Sequence, residues 1–359
     1  MNRSQSSRSR TTKLGLGVLI LMVVAVAGVA SSVDAAGLRS ELSVVAGEDA
    51  INADQSVLLR FSLKNTSDQD AFVLAYETPL KGFERELFAV DRDGEPIPYA
   101  GILALRVGPT AEDWIRIEAG GEVSAVIDLS SVYDTRRAGN YSVRYTAVHQ
   151  VFRAVDKGSL PALGKEFQGE AIASDVVGFS IVGDAVIEED PAELAGRDPE
   201  ATYGCSSPST LTTAQSSARS RVGRAANAAT SYTTWYRTWF GATSSYVSTV
   251  RGRFSNSYSR LGQTVNYYCG SYAPYCTSNT IAYTYKTTSN RIYICSAFWN
   301  QTASFRAHAV AHESFHWNTV AGADDVTYGY SQCQSLASSR PYDALRNADN
   351  YAYAADYAP

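Results

Sequence analysis

The sequence predicts two domains, an all-β antiparallel sandwich followed by a mainly α-helical domain with a small β-hairpin. Three observations support this prediction. From Leu38 to about Val186, short apolar segments alternate with polar residues at a period of two and are separated by turn residues. After Ala201 the composition shifts towards Ser, Thr, Ala and Tyr, and no Asp or Glu occurs before Glu313. All five cysteines lie in this second segment.

The amino terminus predicts a secreted protein. Basic residues up to Lys13 precede an apolar run from Leu14 to Val29, and small residues then surround Ala35. The run is short for a membrane-spanning helix, and its small residues suit a signal peptidase. We therefore expect a signal peptide over residues 1–35 and an extracellular location, with an uncleaved membrane anchor as the alternative. No other stretch of the sequence is long and apolar enough to span a membrane.

The remaining boundaries follow from composition and charge. Residues 36–186 form the predicted sandwich, 187–200 an acidic linker with two prolines, and 201–359 the helical domain. Such a linker is a natural site of proteolytic processing. From Ala201 to Pro359 there are 12 Lys and Arg against 6 Asp and Glu, a net charge of +6. Since the whole chain carries −5, the first 200 residues carry −11, and the two segments should attract each other.

The local patterns place the expected elements. Asp93-Gly94 predicts a hairpin turn in the first domain. Its one histidine, His149, lies on an expected strand, and we find no catalytic group of residues there. Strands are expected at residues 56–63, 71–76, 86–90, 97–100, 114–117, 123–129, 141–148 and 176–182. In the second domain, helices are expected at 209–229, 231–258 (interrupted near Gly241), 303–319, 328–339 and 341–355, with a hairpin at 281–285 and 291–295.

A metal-binding motif lies in the helix expected over residues 303–319. His312, Glu313 and His316 form the pattern His-Glu-x-x-His. Because positions i and i+4 of a helix lie on one face, the two imidazoles can bind one metal ion. Glu313 is then placed to take a proton from a water molecule at that ion. Mostly small apolar residues precede the motif, and three of the four histidines fall within nine residues, which argues against a chance occurrence.

The candidates for the third metal ligand can be narrowed by exclusion. A catalytic zinc usually has three protein ligands and one open position. No Glu follows Glu313 and no His follows His316, so only an Asp can complete the site. Asp324 and Asp325 follow His316 by eight and nine residues, across a turn at Gly322. This separation is short enough for the chain to fold back onto the helix. The full set of candidates is Asp324, Asp325, Asp343, Asp349 and Asp356.

The stretch from His312 to Gly329 resembles the signature HExxH…GTxDxxYG of the aspzincins, the metallopeptidase family of deuterolysin and peptidyl-Lys metalloendopeptidase. The resemblance extends through the second domain, from Thr202-Tyr-Gly-Cys205 to Asn347-Ala-Asp-Asn350, and is closest to the peptidyl-Lys branch. It implies a zincin-like catalytic domain with one Zn²⁺ per chain. It also implies that the β-rich first domain is a propeptide.

The resemblance implies a role for each residue of the motif. The metal ligands would be His312, His316 and Asp325, and the catalytic base would be Glu313. Tyr328 matches the tyrosine that stabilises the oxyanion. The sequence departs from the signature at Ala323, where the family has Thr. The disulfides implied by the resemblance are Cys205–Cys269 and Cys276–Cys295, which would leave Cys333 as a free thiol.

Substrate specificity is predicted from the same resemblance. In the peptidyl-Lys branch an Asp and a Glu three residues later bind the substrate Lys. Asp349 matches this Asp as a substrate-binding residue, but Ala352 stands at the position of the Glu. The second domain contains eleven Arg and one Lys, as expected of a protease that cleaves at Lys. We therefore expect cleavage on the amino side of Lys, with a deuterolysin-like endopeptidase of broader specificity as the alternative.

The expected partners are protein or peptide substrates and the first domain itself, which would inhibit the intact chain as a zymogen. We expect a monomer that binds no nucleic acid, because the second domain is only mildly basic, and no membrane after signal removal. A non-catalytic secreted binding or adhesion protein, with an incidental metal motif, is the alternative from another class. Binding of one zinc ion per chain, together with its loss in Asp325→Ala, would exclude that alternative.

Overall fold

The computed structural model describes residues 37–45, 50–149, 151–153, 170–185 and 202–359. The predicted signal peptide and the acidic linker over 187–200 lie outside these residues. Within them, no helix has the length and apolar character that crossing a bilayer requires. The described residues divide into a β-rich N-terminal region and a helical C-terminal region with some strands, as the sequence predicts.

The N-terminal region consists of strands that enclose one apolar core. Phe61, Val73 and Val143, from three different sheets, are all fully buried in it. The sheets have the orders β1-β3-β9, β2-β13-β10-β5-β6 with β12 beside β10, and β11-β4-β8. The strands are β1 Leu38–Val44, β2 Ala50–Asn52, β3 Leu58–Asn65, β4 Ala71–Leu74, β5 Phe88–Arg92, β6 Glu95–Pro96, β8 Trp114–Ile117, β9 Glu122–Asp128, β10 Gly139–His149, β11 Val151–Arg153, β12 Glu170–Ala173 and β13 Val177–Val182.

Most of the expected strands occur with small shifts, but residues 97–100 form no strand, since β6 ends at Pro96. The hairpin turn at Asp93-Gly94 is confirmed: both residues have positive φ, 52° and 85°, as a tight two-residue turn between β5 and β6 requires. The prediction of an entirely antiparallel sandwich is wrong in one place, because β2 pairs with β13 in parallel. The sequence analysis also missed β1, which pairs along its whole length with β3.

The C-terminal region packs helices against one face of a sheet. Fully buried aromatic residues, among them Phe254, Phe315 and Tyr351, contact one another between the helices, two pairs edge to face and one stacked. The helices are α1 Pro208–Ala228, α2 Thr234–Phe240, α3 Val247–Arg260, α4 Ser296–Trp299, α5 Ala303–His316, α6 Tyr330–Ser339, α7 Pro341–Ala344 and α8 Ala348–Asp356. The strands are β14 Thr202–Tyr203, β15 Asn266–Cys269, β16 Thr280–Tyr285 and β17 Arg291–Ile294. The structure contains the disulfides Cys205–Cys269 and Cys276–Cys295, and Cys333 is a buried free thiol.

One strand of the N-terminal region completes the C-terminal sheet. Strand β7, Ile102–Arg106, pairs antiparallel with β16, and the five strands have the order β14-β15-β17-β16-β7. In this register Ala104 lies opposite Tyr283, and Leu105 lies opposite Ala282. The sequence analysis assigned no strand to this segment. The two regions therefore share a β-sheet, and β7 covers the edge of that sheet.

Candidate metal centre and substrate cleft

Helix α5 carries the His-Glu-x-x-His motif and is buried over its last ten residues. The Thr302 hydroxyl caps its first turn by accepting a hydrogen bond from the Phe305 N–H at 3.1 Å. The sequence predicts the helix to Thr319, but it ends at His316 because the next residue is extended. The Trp317 indole N–H donates to the Thr284 hydroxyl on β16, at 3.1 Å. The end of the motif helix is thereby fixed to the strand that pairs with β7.

The chain then turns back and returns an Asp to the helix. Gly322 has φ of +57°, a conformation that glycine adopts without strain, and the Ala323 N–H donates to the Phe315 carbonyl at 3.0 Å. Two residues later the Asp325 carboxylate reaches the histidines. Its Oδ1 lies 3.1 Å from His312 Nε2 and 3.4 Å from His316 Nε2, and the two nitrogens are 3.0 Å apart. Three potential ligand atoms thus converge on one point.

This arrangement fits a zinc ion. Two imidazole nitrogens and one carboxylate form a common donor set for catalytic zinc, with bonds of about 2.0–2.2 Å. Ligand atoms separated by 3.0–3.4 Å are compatible with such bonds to a common centre. Both carboxylate oxygens of Asp325 are buried and have no hydrogen-bond partner within the described residues. A buried carboxylate without partners is costly, and a bound cation would remove that cost.

The other nitrogen of each histidine is already engaged. His316 Nδ1 lies 2.9 Å from the Ala323 carbonyl oxygen, and His312 Nδ1 lies 2.9 Å from Asp349 Oδ1. Since these oxygens accept, each Nδ1 must carry the proton, which leaves both Nε2 lone pairs directed at the metal position. Such outer hydrogen bonds fix the orientation of the ligands and raise their basicity.

Glu313 and Tyr328 lie beside strand β7. The Tyr328 hydroxyl donates to the carbonyl oxygen of Ala104 at 2.9 Å. Glu313 is fully buried, and neither of its oxygens makes a hydrogen bond within the described residues. Burial raises the pKa of Glu313, and the Leu105 N–H opposes this rise. Strand β7 therefore passes beside the motif, with its Ala104 carbonyl on Tyr328.

Comparison with known proteins gives the family. A family model described as "Lysine-specific metallo-endopeptidase", named for the aspzincins, matches residues 225–356. An extracellular protease of Aeromonas hydrophila is 30% identical over 353 residues, which cover 92% of this chain and 95% of that protein. The chain belongs to the aspzincin family. The aspzincin assignment identifies the protein as a zinc metalloendopeptidase, and the catalytic motif of the sequence lies within the matched residues.

Two further relatives resemble this aspzincin. A peptidyl-Lys metalloendopeptidase of Armillaria mellea is 41% identical over 135 residues, 36% of this chain and 37% of that protein. The solved structure of a zinc peptidase from Grifola frondosa is 33% identical, covers 42% of this chain and 96% of that one, and superposes with a TM-score of 0.39.

Asp349 lies behind the histidines of the aspzincin motif. It is buried, and its Oδ1 accepts from His312 and from His308, at 2.9 and 3.0 Å. Its Oδ2 accepts from the Gly329 N–H at 2.7 Å. Burial favours the protonated form, but the hydrogen bonds from His308 and His312 lower the pKa of Asp349 below its usual value. Both oxygens of Asp349 are thus engaged by His308, His312 and Gly329, and substrate binding by Asp349 stays a prediction.

The other Asp candidates for the third metal ligand form ion pairs elsewhere in the structure. Asp324 forms an ion pair with Lys286 and a second with Arg346, away from the histidines. Asp343 pairs with Arg340, and Asp356 pairs with Arg221. His308, His312 and Asp349 form a second group with metal-ligand spacing, but its close contacts are hydrogen bonds between the three side chains. Sequence reasoning gave His308 no role, although it lies one turn before His312 on the same helix face.

Proposed function

We propose that the chain is the zymogen of a secreted endopeptidase with one zinc ion per chain, bound by His312, His316 and Asp325. The observation that carries the proposal is the position of β7, which pairs with β16 and whose Ala104 carbonyl accepts a hydrogen bond from Tyr328. We take the Ala104–Leu105 peptide as the counterpart of a scissile bond. The name of the Aeromonas hydrophila relative, an extracellular protease, supports secretion. The signal-like amino terminus supports it independently.

Each part of the site has its own role in the proposed hydrolysis of the peptide bond. When bound, the zinc ion polarises the peptide carbonyl and activates the attacking water. Glu313 accepts a proton from that water and delivers it to the nitrogen of the leaving amine, the atom that the Leu105 N–H represents in this structure. Tyr328 donates a hydrogen bond to the carbonyl oxygen as negative charge develops there. Strand β16 aligns the substrate by pairing with its main chain, as it pairs with β7.

The N-terminal region is the propeptide in this proposal. It fills the cleft with its own strand, so a substrate cannot pair with β16 until β7 leaves. Processing within residues 187–200 would separate the two regions covalently. Activity should rise when the processed catalytic domain is freed of the propeptide. Equal specific activity of the intact chain and the freed domain would contradict inhibition by the propeptide.

Two specificities are candidates for the residue after the cleaved bond. The family description and the scarcity of Lys in the catalytic domain favour Lys. The structure offers support for the second, an apolar residue, because Leu105 occupies this position and packs into the apolar core of the C-terminal region. Ala352, at the position where the peptidyl-Lys branch has Glu, is buried and apolar. Digestion of an unstructured protein and sequencing of the new amino termini separates the two, since they would begin with Lys or with apolar residues.

The mechanism is tested by Glu313→Gln. This variant should keep its zinc and its unfolding temperature but lose activity by roughly two to four orders of magnitude, because proton transfer is removed. Zinc content is measured by elemental analysis and activity by peptide cleavage. Asp325→Ala should lose the zinc, whereas Asp343→Asn, a partly exposed carboxylate paired with Arg340, is the matched control and should change neither. A Glu313→Gln enzyme that cleaves at nearly the wild-type rate would exclude the mechanism.

A further inference from the structure

The next residue of β7, Arg106, enters a pocket built by the catalytic domain. Its guanidinium is buried, with 4% of the side chain exposed. Its Nη1 donates to the hydroxyls of Thr277 and Thr280 and to the Oδ1 atom of Asn279, at 3.1, 2.9 and 3.1 Å. All three acceptors belong to the C-terminal region. Arg106 is the second residue after the Ala104–Leu105 bond, so these oxygens mark the corresponding position of a substrate.

The three acceptors also contact one another. The Thr277 hydroxyl lies 2.8 Å from Asn279 Oδ1 and 2.6 Å from the Thr280 hydroxyl. Asn279 and Thr280 are buried, so their positions are fixed by the surrounding protein. The Asn279 carbonyl accepts from the Val107 N–H at 2.9 Å, which keeps the bound strand against this loop beyond Arg106.

The rest of the guanidinium contacts the propeptide. Its Nη2 forms an ion pair with Glu84, and its Cζ atom lies 4.7 Å from the ring centre of Tyr76. The propeptide also orients the amide of Asn279, whose Nδ2 donates to Asp113 at 2.8 Å. The catalytic domain supplies neutral oxygens, and its described residues make no ion pair with Arg106. Recognition by the catalytic domain therefore depends on hydrogen-bond geometry more than on charge.

We propose that Thr277, Asn279 and Thr280 form a substrate subsite that selects arginine at the second residue after the cleaved bond. The inference rests on the proposed function, because it takes β7 as a substrate-like ligand. A guanidinium carries five N–H donors in a fixed plane, so it can meet several acceptors at once. An aliphatic side chain in the same place would leave the buried oxygens of Asn279 and Thr280 without a donor, which is unfavourable.

The experiment compares two peptides on the processed, zinc-loaded enzyme. They share one sequence and differ only at the second residue after the cleaved bond, which is Arg in one and norleucine in the other. Norleucine keeps the aliphatic stem and removes the guanidinium. We expect kcat/KM to be at least about 10-fold higher for the Arg peptide, since a hydrogen bond to a charged group contributes on the order of 1.5–3 kcal/mol. A ratio near one would overturn the subsite.

Variants of the pocket residues test whether these residues cause the preference for arginine. Thr280→Val removes one acceptor with little change in shape, and it should lower the ratio of the two kcat/KM values towards one. Thr277→Val tests the same point at an exposed position, in case Thr280→Val folds poorly. Thr287→Val, an exposed residue in the turn after β16, is the matched control and should leave the ratio unchanged. A ratio that persists in both pocket variants would overturn the assignment to these residues.

A binding experiment separates failure of the subsite from failure of the proposed function. If the processed enzyme cleaves neither peptide, the endopeptidase proposal fails. The subsite is then tested with zinc-loaded Glu313→Gln, by measuring the dissociation constants of both peptides. Tighter binding of the Arg peptide by about 10-fold would support the subsite, and equal binding would overturn it.

Discussion

Asp349 organises the metal centre from behind the ligands. One oxygen accepts from both His308 and His312, and the other accepts from the backbone N–H of Gly329. Gly329 lies directly after Tyr328, so the same carboxylate connects His312 to the loop that carries Tyr328. Loss of this charge should disturb both groups together, even though Asp349 does not contact the metal position.

Asp349→Asn should weaken zinc binding by about 10- to 100-fold, the usual cost of removing a carboxylate that orients a metal-ligating histidine. The measurement is competition for zinc with a chelator of known affinity, followed by activity at saturating zinc. Asp343→Asn serves as the control because it removes a carboxylate from the surface of the same region. If Asp349→Asn binds zinc normally but loses cleavage at Lys alone, the substrate-binding prediction would be supported.

His149 makes the propeptide sensitive to acid. Its side chain is fully buried, Nε2 lies 2.6 Å from the Tyr145 hydroxyl, and Nδ1 has no partner within the described residues. Burial, aided by Arg85, lowers its pKa from 6.5 to about 3. Because the unfolded chain binds the proton more tightly than the folded one, stability falls as the pH falls below 6.5 towards 3, and the residue contributes nothing to this dependence at higher pH.

Each pH unit below 6.5 should therefore remove about 1.4 kcal/mol from the free energy of unfolding of the propeptide. The measurement is the unfolding temperature of the intact chain from pH 7.5 to 4.5, in the Glu313→Gln background to prevent self-digestion. His149→Gln removes the titrating group and should show a smaller loss over this range. Parallel curves for the two proteins would assign the acid sensitivity to other residues.

The sequence identified those residues whose roles depend on local spacing. His312, Glu313 and His316 follow from helix geometry, and Asp325 follows from a short loop together with the family signature. The placement of Asp349 could not be predicted in the same way. Its hydrogen bonds to His308 and His312 join positions 41 and 37 residues apart, so they depend on how α8 packs against α5.

At the scale of elements, β7 is one of the strands that the sequence did not predict. The run Ile102-Leu-Ala-Leu-Arg106 is buried at every position, so it shows no alternation of apolar and polar residues. The reason is visible in the fold: Leu103 packs into the N-terminal core, whereas Leu105 packs into the C-terminal core. Because its side chains pack into two different apolar cores, β7 lacks the apolar–polar alternation from which a strand is predicted.

Leu105→Asp should activate the unprocessed chain. The side chain is 2% exposed and packs in the apolar core of the C-terminal region, so a carboxylate there would be buried without a partner. We expect β7 to leave the cleft and the zymogen to cleave a small peptide at least about 10-fold faster, because a buried unpaired charge costs several kcal/mol. Val126→Asp, on an exposed face of β9, is the control and should leave the zymogen latent. An inactive, folded Leu105→Asp zymogen would contradict the inhibitory role of β7.

At the scale of the whole molecule, charge supports the association of the two regions. The first 200 residues carry −11 and the remainder +6. Within the described residues, a direct ion pair crosses between the regions from Lys286 to Glu86, at 3.4 Å. Most of the attraction is therefore distributed over the surfaces, where salt screens it over about 10 Å at 0.1 M.

Salt should weaken inhibition once the linker has been cut. We expect the apparent inhibition constant of the cleaved propeptide to increase several-fold between 0.05 and 0.5 M NaCl, as opposite charges are screened. The measurement is the activity of the cleaved but unseparated protein at each salt concentration. Catalytic domain freed of the propeptide is the control for direct effects of salt on catalysis. A constant inhibition over this range would indicate that apolar contacts around β7 dominate the association.

The position of β7 also determines what a single cut in the linker can accomplish. Before the cut, the strand is covalently linked to the sheet that it completes, and this linkage gives it a high effective concentration there. After the cut, the same contacts persist, and only the concentration of the fragment changes. Dilution then activates the cleaved protein. At high concentration the fragment stays bound and the protein is latent, whereas at low concentration the fragment dissociates and the protein becomes active.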